Sequence, residues 1–156
     1  MQIRFEALPT DIVAHIRESG TDAYGNPVER AVSDGDGVPC RHCLKQVPEG
    51  SAYLVLAHRP FASVNAYTET GPIFLCADDC ARAEDASDLP EILASPEYIV
   101  RGYSGAERIV YGTGQVTPTA NIAGYAEALL RRPEIAFVDI RSAKNNCFQC
   151  RVRRTA

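Results

Sequence analysis

Two tight pairs of cysteines carry the most obvious chemistry in this chain. Cys40-Arg41-His42-Cys43 follows Pro39, and Cys76-Ala77-Asp78-Asp79-Cys80 closes the apolar run Pro72-Ile73-Phe74-Leu75. Thiolates are soft, strongly donating ligands, and four of them brought to one point complete the tetrahedral shell of a zinc ion. The spacing inside each pair lets both sulfurs reach one ion at about 2.3 Å. Iron–sulfur or redox use, or reduced thiols packed as small apolar groups, are the alternatives. His42 lies between two of these ligands and is expected to point outward.

A third pair, Cys147-Phe148-Gln149-Cys150, is harder to assign. Reactive thiol pairs sit at helix N-termini, where the dipole favours the thiolate. Here the sequel Arg151-Val152-Arg153 reads as a strand. Three uses stay open: ligands that join or replace part of the first set, a reversible or catalytic dithiol, or packing. Arg141, Asn145 and Asn146 form a donor-rich turn just ahead of this pair and are candidate ligands for a small anion. Tyr111-Gly112-Thr113-Gly114 supplies a GxG without the rest of a dinucleotide fingerprint, so a bulge or close backbone approach is the expected reason for its glycines.

These residues need elements to hold them. Ala52–His58 reads as a strand and Pro72–Cys76 as its returning partner. Together they would bring the two cysteine pairs to one end of a hairpin. The acidic start of 78–86 suits a helix N-terminus, so Cys80 is expected on a first helical turn. A short helix is expected near Pro90–Ala94. Knuckle, hairpin, strand end and helix start give the order of a treble-clef-like zinc finger. Ahead of it, Gln2–Ala7 reads as a strand. Pro9-Thr10-Asp11 opens a helix with Thr10 or Asp11 as N-cap, Ile12, Val13 and Ile16 as its buried stripe, and Ser19-Gly20 as its end. Residues 20–39 read as an irregular approach, with Asp34 and Asp36 too few for a calcium loop. After the finger, Tyr98–Tyr103 and Arg108–Val116 read as a hairpin joined at Ser104-Gly105-Ala106. A helix follows, with Thr117 as N-cap and Ile122, Tyr125, Ala126, Leu129 and Leu130 on one face. Strands Ile135–Ile140 and Cys147–Arg153 complete the chain.

The expected fold is therefore α+β: a mainly antiparallel sheet with packed helices and a treble-clef-like cysteine hairpin. At 156 residues one domain is expected over 1–156. Within it, 40–86 would be a zinc-binding hairpin–helix insert and 98–153 a β-hairpin–helix–β–β part. No apolar run reaches the roughly 20 residues of a membrane span. Arg4 and Glu6 interrupt the start, so no secretory signal is expected. A cytoplasmic, reducing location is the expectation, which favours metal ligands or reactive thiols over disulfides.

Net charge is −4, unevenly spread, with a basic excess after residue 130. Such a segment could meet phosphate or nucleic acid. Without interleaved aromatics beyond Phe148, pairing with the protein's own acidic groups is the favoured reading. The expected partner is an unidentified macromolecule or a small anionic ligand. No feature names a substrate, and whether the protein is an enzyme stays open.

With CRHC, GPIFLCADDC, RIVYGTGQV and RSAKNNCFQCRV all in place, the chain resembles the bacterial family called domain of unknown function 1203. The likeness runs from about Ile3 to Arg153. It implies a short, bacterial protein of uncharacterised role, and it adds weight to a site near Cys147 without supplying a reaction.

Overall fold

The computed structural model describes residues 1–156. In chain order its elements are β1 (Ile3–Glu6), α1 (Thr10–Ser19), β2 (Glu29–Val32), β3 (Ala52–His58), β4 (Gly71–Cys76), β5 (Glu97–Tyr103), β6 (Gln115–Pro118), a 3-10 turn (Thr119–Asn121), α2 (Ile122–Leu130), β7 (Phe137–Ser142) and β8 (Phe148–Arg154). The chain divides into two units. The first comprises Met1–Glu6, Phe61–Glu69 and Asp85–Ala156, and the second Ala7–Pro60 and Thr70–Glu84. The class is α+β with antiparallel sheets, as the sequence predicts. No helix is long and apolar enough to cross a membrane.

In the first unit, strands that alternate apolar and charged residues pair in the order β1-β8-β7-β5-β6. Alternation sends every second side chain to one face. Ile3, Phe5, Val100, Val138, Ile140, Cys150 and Val152 share a buried cluster with Ile122, Ala126, Leu129 and Leu130 of α2. Each such side chain contributes roughly 1.5–3 kcal/mol when fully buried. Gly102 of β5 lets the chain pass close to its neighbours: a Cβ there would lie 3.1 Å from Ile135 Cδ1 and 3.3 Å from Thr113 Oγ1.

The intervening residues of the same strands are charged and paired. Asp139 is fully buried and takes both ends of the Arg151 guanidinium, with Nε at 2.7 Å and Nη2 at 3.0 Å. The Arg151 guanidinium carbon also lies over Phe137, 3.8 Å from its ring centroid. Glu6 accepts from Arg4 and Arg153. Glu69 pairs with Arg101 and Arg141. Arg131 meets Glu127, Arg132 meets Glu134, and Arg154 donates to the carbonyls of Leu130, Arg132 and Ile135. Six arginines of the basic C-terminal segment thus have partners of their own within this unit.

In the second unit β2-β3-β4 form a three-stranded antiparallel sheet, with Tyr53 opposite Cys76 and His58 opposite Gly71. Helix α1 buries Val13 and Ile16 but leaves Ile12 40% exposed, so the expected stripe loses one member. Gly20 ends the helix at φ 64°, its N–H bonded to Ile16 O. No side chain caps the start; the Thr10 hydroxyl is directed to His42 instead.

Four expectations about elements fail. No helix forms over 78–86, because Ala83 N–H donates to His42 O rather than back along a helix. A piece that short is marginal without tertiary support. Pro90–Ala94 is only a turn. The strand expected over 108–116 is interrupted where Gly112 takes φ 86°, and Thr113 Oγ1 bonds Val110 O at 2.6 Å. Conversely β2 lies inside the stretch expected to be irregular. It is a mostly exposed edge strand with no apolar period to betray it.

The Asp139–Arg151 pair generates a prediction. Asp139→Ala leaves a largely buried guanidinium without its carboxylate and should cost about 3–5 kcal/mol of unfolding free energy. Urea titration of the two proteins checks this. A loss below about 1 kcal/mol would mean that the pair is not held as described.

Candidate metal centre

The second unit's hairpin delivers two of the sulfurs. Cys76 ends β4, and the chain then bends at Ala77 and Asp78 on its way to Cys80, with Ala77 N–H on Ala52 O and Ala83 N–H on His42 O. The other two come from a tight knuckle. Cys40 N–H donates to Lys45 O, Leu44 N–H donates to Cys40 O, and Pro39 bridges Gln46. Leu44 takes φ 53°, the left-handed region in which such a turn closes. The knuckle also lies along the outer side of β4: Cys40 bridges Phe74 in parallel, and Arg41 N–H donates to Phe74 O at 3.1 Å.

The four sulfurs of Cys40, Cys43, Cys76 and Cys80 all lie within 4.8 Å of one another. Cys40 to Cys80 and Cys43 to Cys76 are each 3.9 Å. Sulfurs bonded at about 2.3 Å to a tetrahedral ion are separated by about 3.8 Å along every edge. The donor set and its spacing therefore fit a four-coordinate metal ion. All six cysteines are free thiols.

Electrostatics make the same point. The Cys40 thiol is drawn down to about 4, chiefly by a hydrogen bond from Cys43 and further by the backbone N–H groups of Cys43, Cys76 and His42, against the cost of burial. The others move the opposite way. Cys43 is pushed far up, first by that hydrogen bond to Cys40. Cys76 is pushed up to about 12 by burial and then by the charge on Cys40. One thiolate forms readily and resists its neighbours' ionisation. A cation at the centre removes that conflict.

Three side chains outside the sulfur set complete the surroundings. His42 is 1% exposed, with Nδ1 at 3.1 Å from Cys80 Sγ and Nε2 at 2.9 Å from Thr10 Oγ1. A metal-bound Cys80 sulfur would only accept, which would place the proton on His42 Nδ1 and leave Nε2 to accept from the Thr10 hydroxyl. Burial lowers the His42 pKa, with Arg17 and Arg82 adding to the effect, which suits this neutral tautomer. Arg17 donates through Nη2 to Cys80 Sγ at 3.4 Å and through Nε and Nη2 to Cys76 O. The expectation that His42 points outward is thus overturned: its ring is enclosed and orients a sulfur. Thr10 and Arg17 carry no local signal in the sequence, since they reach the site from a helix roughly 30 or more residues away.

Cys147 and Cys150 belong to the other unit and are not part of the four-sulfur group. Cys150 lies in the core cluster, while Cys147 is half-buried before the strand, its Sγ 3.7 Å from Asn145 O. Arg141 is 2% exposed. Its single Nε–H is shared between Asn146 O and Oδ1, at 3.0 and 2.9 Å. The approach of Glu69 Oε2 to that nitrogen, 2.7 Å, is therefore Coulombic rather than a hydrogen bond. Arg141 Nη1 is buried with no hydrogen-bond partner. Asn146 takes φ 57° to close the β7–β8 turn, and Asn145 is exposed. Tyr111-Gly112-Thr113-Gly114 forms the turn described above, with Thr113 Oγ1 bonded to Gly102 N–H.

A cluster of this kind defines a four-sulfur centre carried on a small antiparallel sheet. The chain belongs to the family described as "Protein of unknown function (DUF1203)", whose pattern matches residues 37–154 and so includes all six cysteines. No curated protein and no solved structure matches it.

Replacing His42 by Ala should weaken metal binding by about 10–100-fold, the usual effect of losing a group that orients a ligand, without changing the number of ions per chain. Competition against a chromogenic chelator measures it. Unchanged affinity would show that the ring merely fills space.

Proposed function

We propose that this protein binds one zinc ion through Cys40, Cys43, Cys76 and Cys80, and that the ion is structural. The supporting observation is the pair of 3.9 Å sulfur separations, which match the edges of a tetrahedron closed by four protein ligands. Soft tetrahedral thiolate sets suit zinc or iron. Zinc is preferred because a shell with no open position supplies cohesion without needing electron transfer. What it would hold together is substantial: the knuckle around 39–46, the irregular run 77–84 and the end of the β3–β4 hairpin. Neither run has helix or strand of its own.

On this reading the protein acts by presenting a zinc-fixed surface to another molecule in a reducing, cytoplasmic setting, the partner being a macromolecule or a small anion. The six free thiols support such a setting. The arginine pairings of the first unit argue against a nucleic-acid role for the basic segment, because guanidiniums held by carboxylates release no counterions from a phosphate backbone.

Untagged protein purified without oxygen should carry about one zinc per chain by elemental analysis. Cobalt substitution should give the intense visible bands of a tetrahedral thiolate site. A structural zinc contributes on the order of several kcal/mol to folding, and about 1 kcal/mol moves a domain of this size by 2–4 °C. Chelation should therefore lower Tm by roughly 10 °C or more. Stoichiometric iron, or well under one metal ion per chain, would refute the proposal.

A further inference from the structure

The four sulfurs are not equivalent. Cys43, Cys76 and Cys80 line an open cavity of about 320 Å³, with Lys45, Val47 and Asp78 among its other walls. Cys40 is fully buried. The groups turned toward each sulfur differ as well. Cys40 Sγ receives the backbone N–H of Cys76 at 3.3 Å, and those of Cys43 and His42. Cys80 Sγ has His42 Nδ1 and Arg17 Nη2 against it. Cys43 has the Lys45 backbone N–H. Cys76 Sγ meets sulfur alone, namely Cys43 and Cys40. An N–H held on a thiolate withdraws electron density and makes it a poorer nucleophile. Two sulfurs are therefore clamped, Cys40 and Cys80. Two are both open to the cavity and weakly held, Cys43 and Cys76, and these two are 3.9 Å apart.

We infer that Cys43 and Cys76 form an oxidant-sensitive modification site: hydrogen peroxide entering the cavity joins them as a disulfide and frees the metal, while Cys40 and Cys80 remain reduced. The inference rests on the zinc reading above. One thiolate attacks a peroxide oxygen, the O–O bond breaks, and a sulfenic acid and hydroxide result. The second thiolate then attacks the sulfenic sulfur, forming the S–S bond and expelling a second hydroxide. Two sulfurs lose one electron each, the peroxide gains two, and two protons from solvent convert the hydroxides to water. The sulfurs must close from 3.9 Å to about 2.05 Å, a displacement that side-chain torsions of the knuckle and the strand end can supply. Only two thiolates are then left facing the ion, too few to retain it. A reductant reverses the bond and restores the site.

The test uses zinc-loaded full-length protein carrying Cys147→Ser, which removes the half-exposed thiol outside the four-sulfur group. Peroxide is added with a chromogenic zinc chelator present, and alkylated peptides are mapped by mass spectrometry. The expected result is one zinc released per disulfide formed, with Cys43 joined to Cys76, and rebinding after reduction. Cys76→His keeps four ligands but removes the reactive pair, so it should bind zinc and release it roughly tenfold or more slowly. Cys80→His, which leaves that pair intact, should still form the Cys43–Cys76 disulfide under peroxide. A first disulfide containing Cys40 or Cys80, retention of zinc under peroxide, or release from Cys76→His at the parent's rate would overturn the inference. Should Cys76→His fail to take up zinc, the disulfide map of the parent decides. Zinc measured before peroxide is added separates the two claims. Its absence refutes the zinc reading, whereas zinc that is present and kept refutes only the oxidation.

Discussion

Like charges crowded into a few ångströms govern the second unit. Four sulfurs within 4.8 Å of one another cannot all ionise unaided, as the opposed shifts of Cys40 and Cys76 show. A dication at their centre would relieve that repulsion. The N–H groups and the Arg17 and His42 side chains would then offset the negative charge that remains on a four-thiolate shell. Those contacts have a second effect, because they fix the directions of the Cys40 and Cys80 sulfurs.

The first unit balances its buried charges with ion pairs. Its sheet carries Arg101 on β5, Arg141 on β7 and Arg151, Arg153 and Arg154 on β8, and each is met by a carboxylate, an aromatic face or a carbonyl. Asp139 is the extreme case, since burial raises its pKa while the bidentate Arg151 opposes the change. Paired charges of this sort add little net stability over apolar residues, but removing one partner is costly. They also enforce register: a slip of one residue would send the whole charged row into the apolar cluster beneath α2.

Much of this was legible in the chain. Strand periodicity located β1, β3, β4, β5, β7 and β8 to within a few residues, and the apolar face of α2 was readable from Ile122, Ala126, Leu129 and Leu130. The four-cysteine set followed from spacing and an intervening hairpin. What escaped was decided by long-range partners. The 78–86 run has helical propensity, yet its N–H and side-chain groups are taken by His42 O, Leu8 O and Ala7 O, so the treble-clef ending does not appear. The role of His42 depended on Thr10 arriving from another element. β2 was hidden because an edge strand facing water need not alternate. Glu69, far away in sequence, sits against Arg141, a neighbour that the residues of the turn do not announce.

The parallel bridge between Cys40 and Phe74 has a consequence for solubility. β4 is an outer strand of its sheet, and the knuckle occupies the backbone groups that would otherwise be left open along it. An unguarded border of this kind is a template on which a second chain can add itself. On the zinc reading, an ion pinning the knuckle would also shield the molecule from sticking to its own copies, and a pool stripped of metal would be prone to clump before it is fully unfolded.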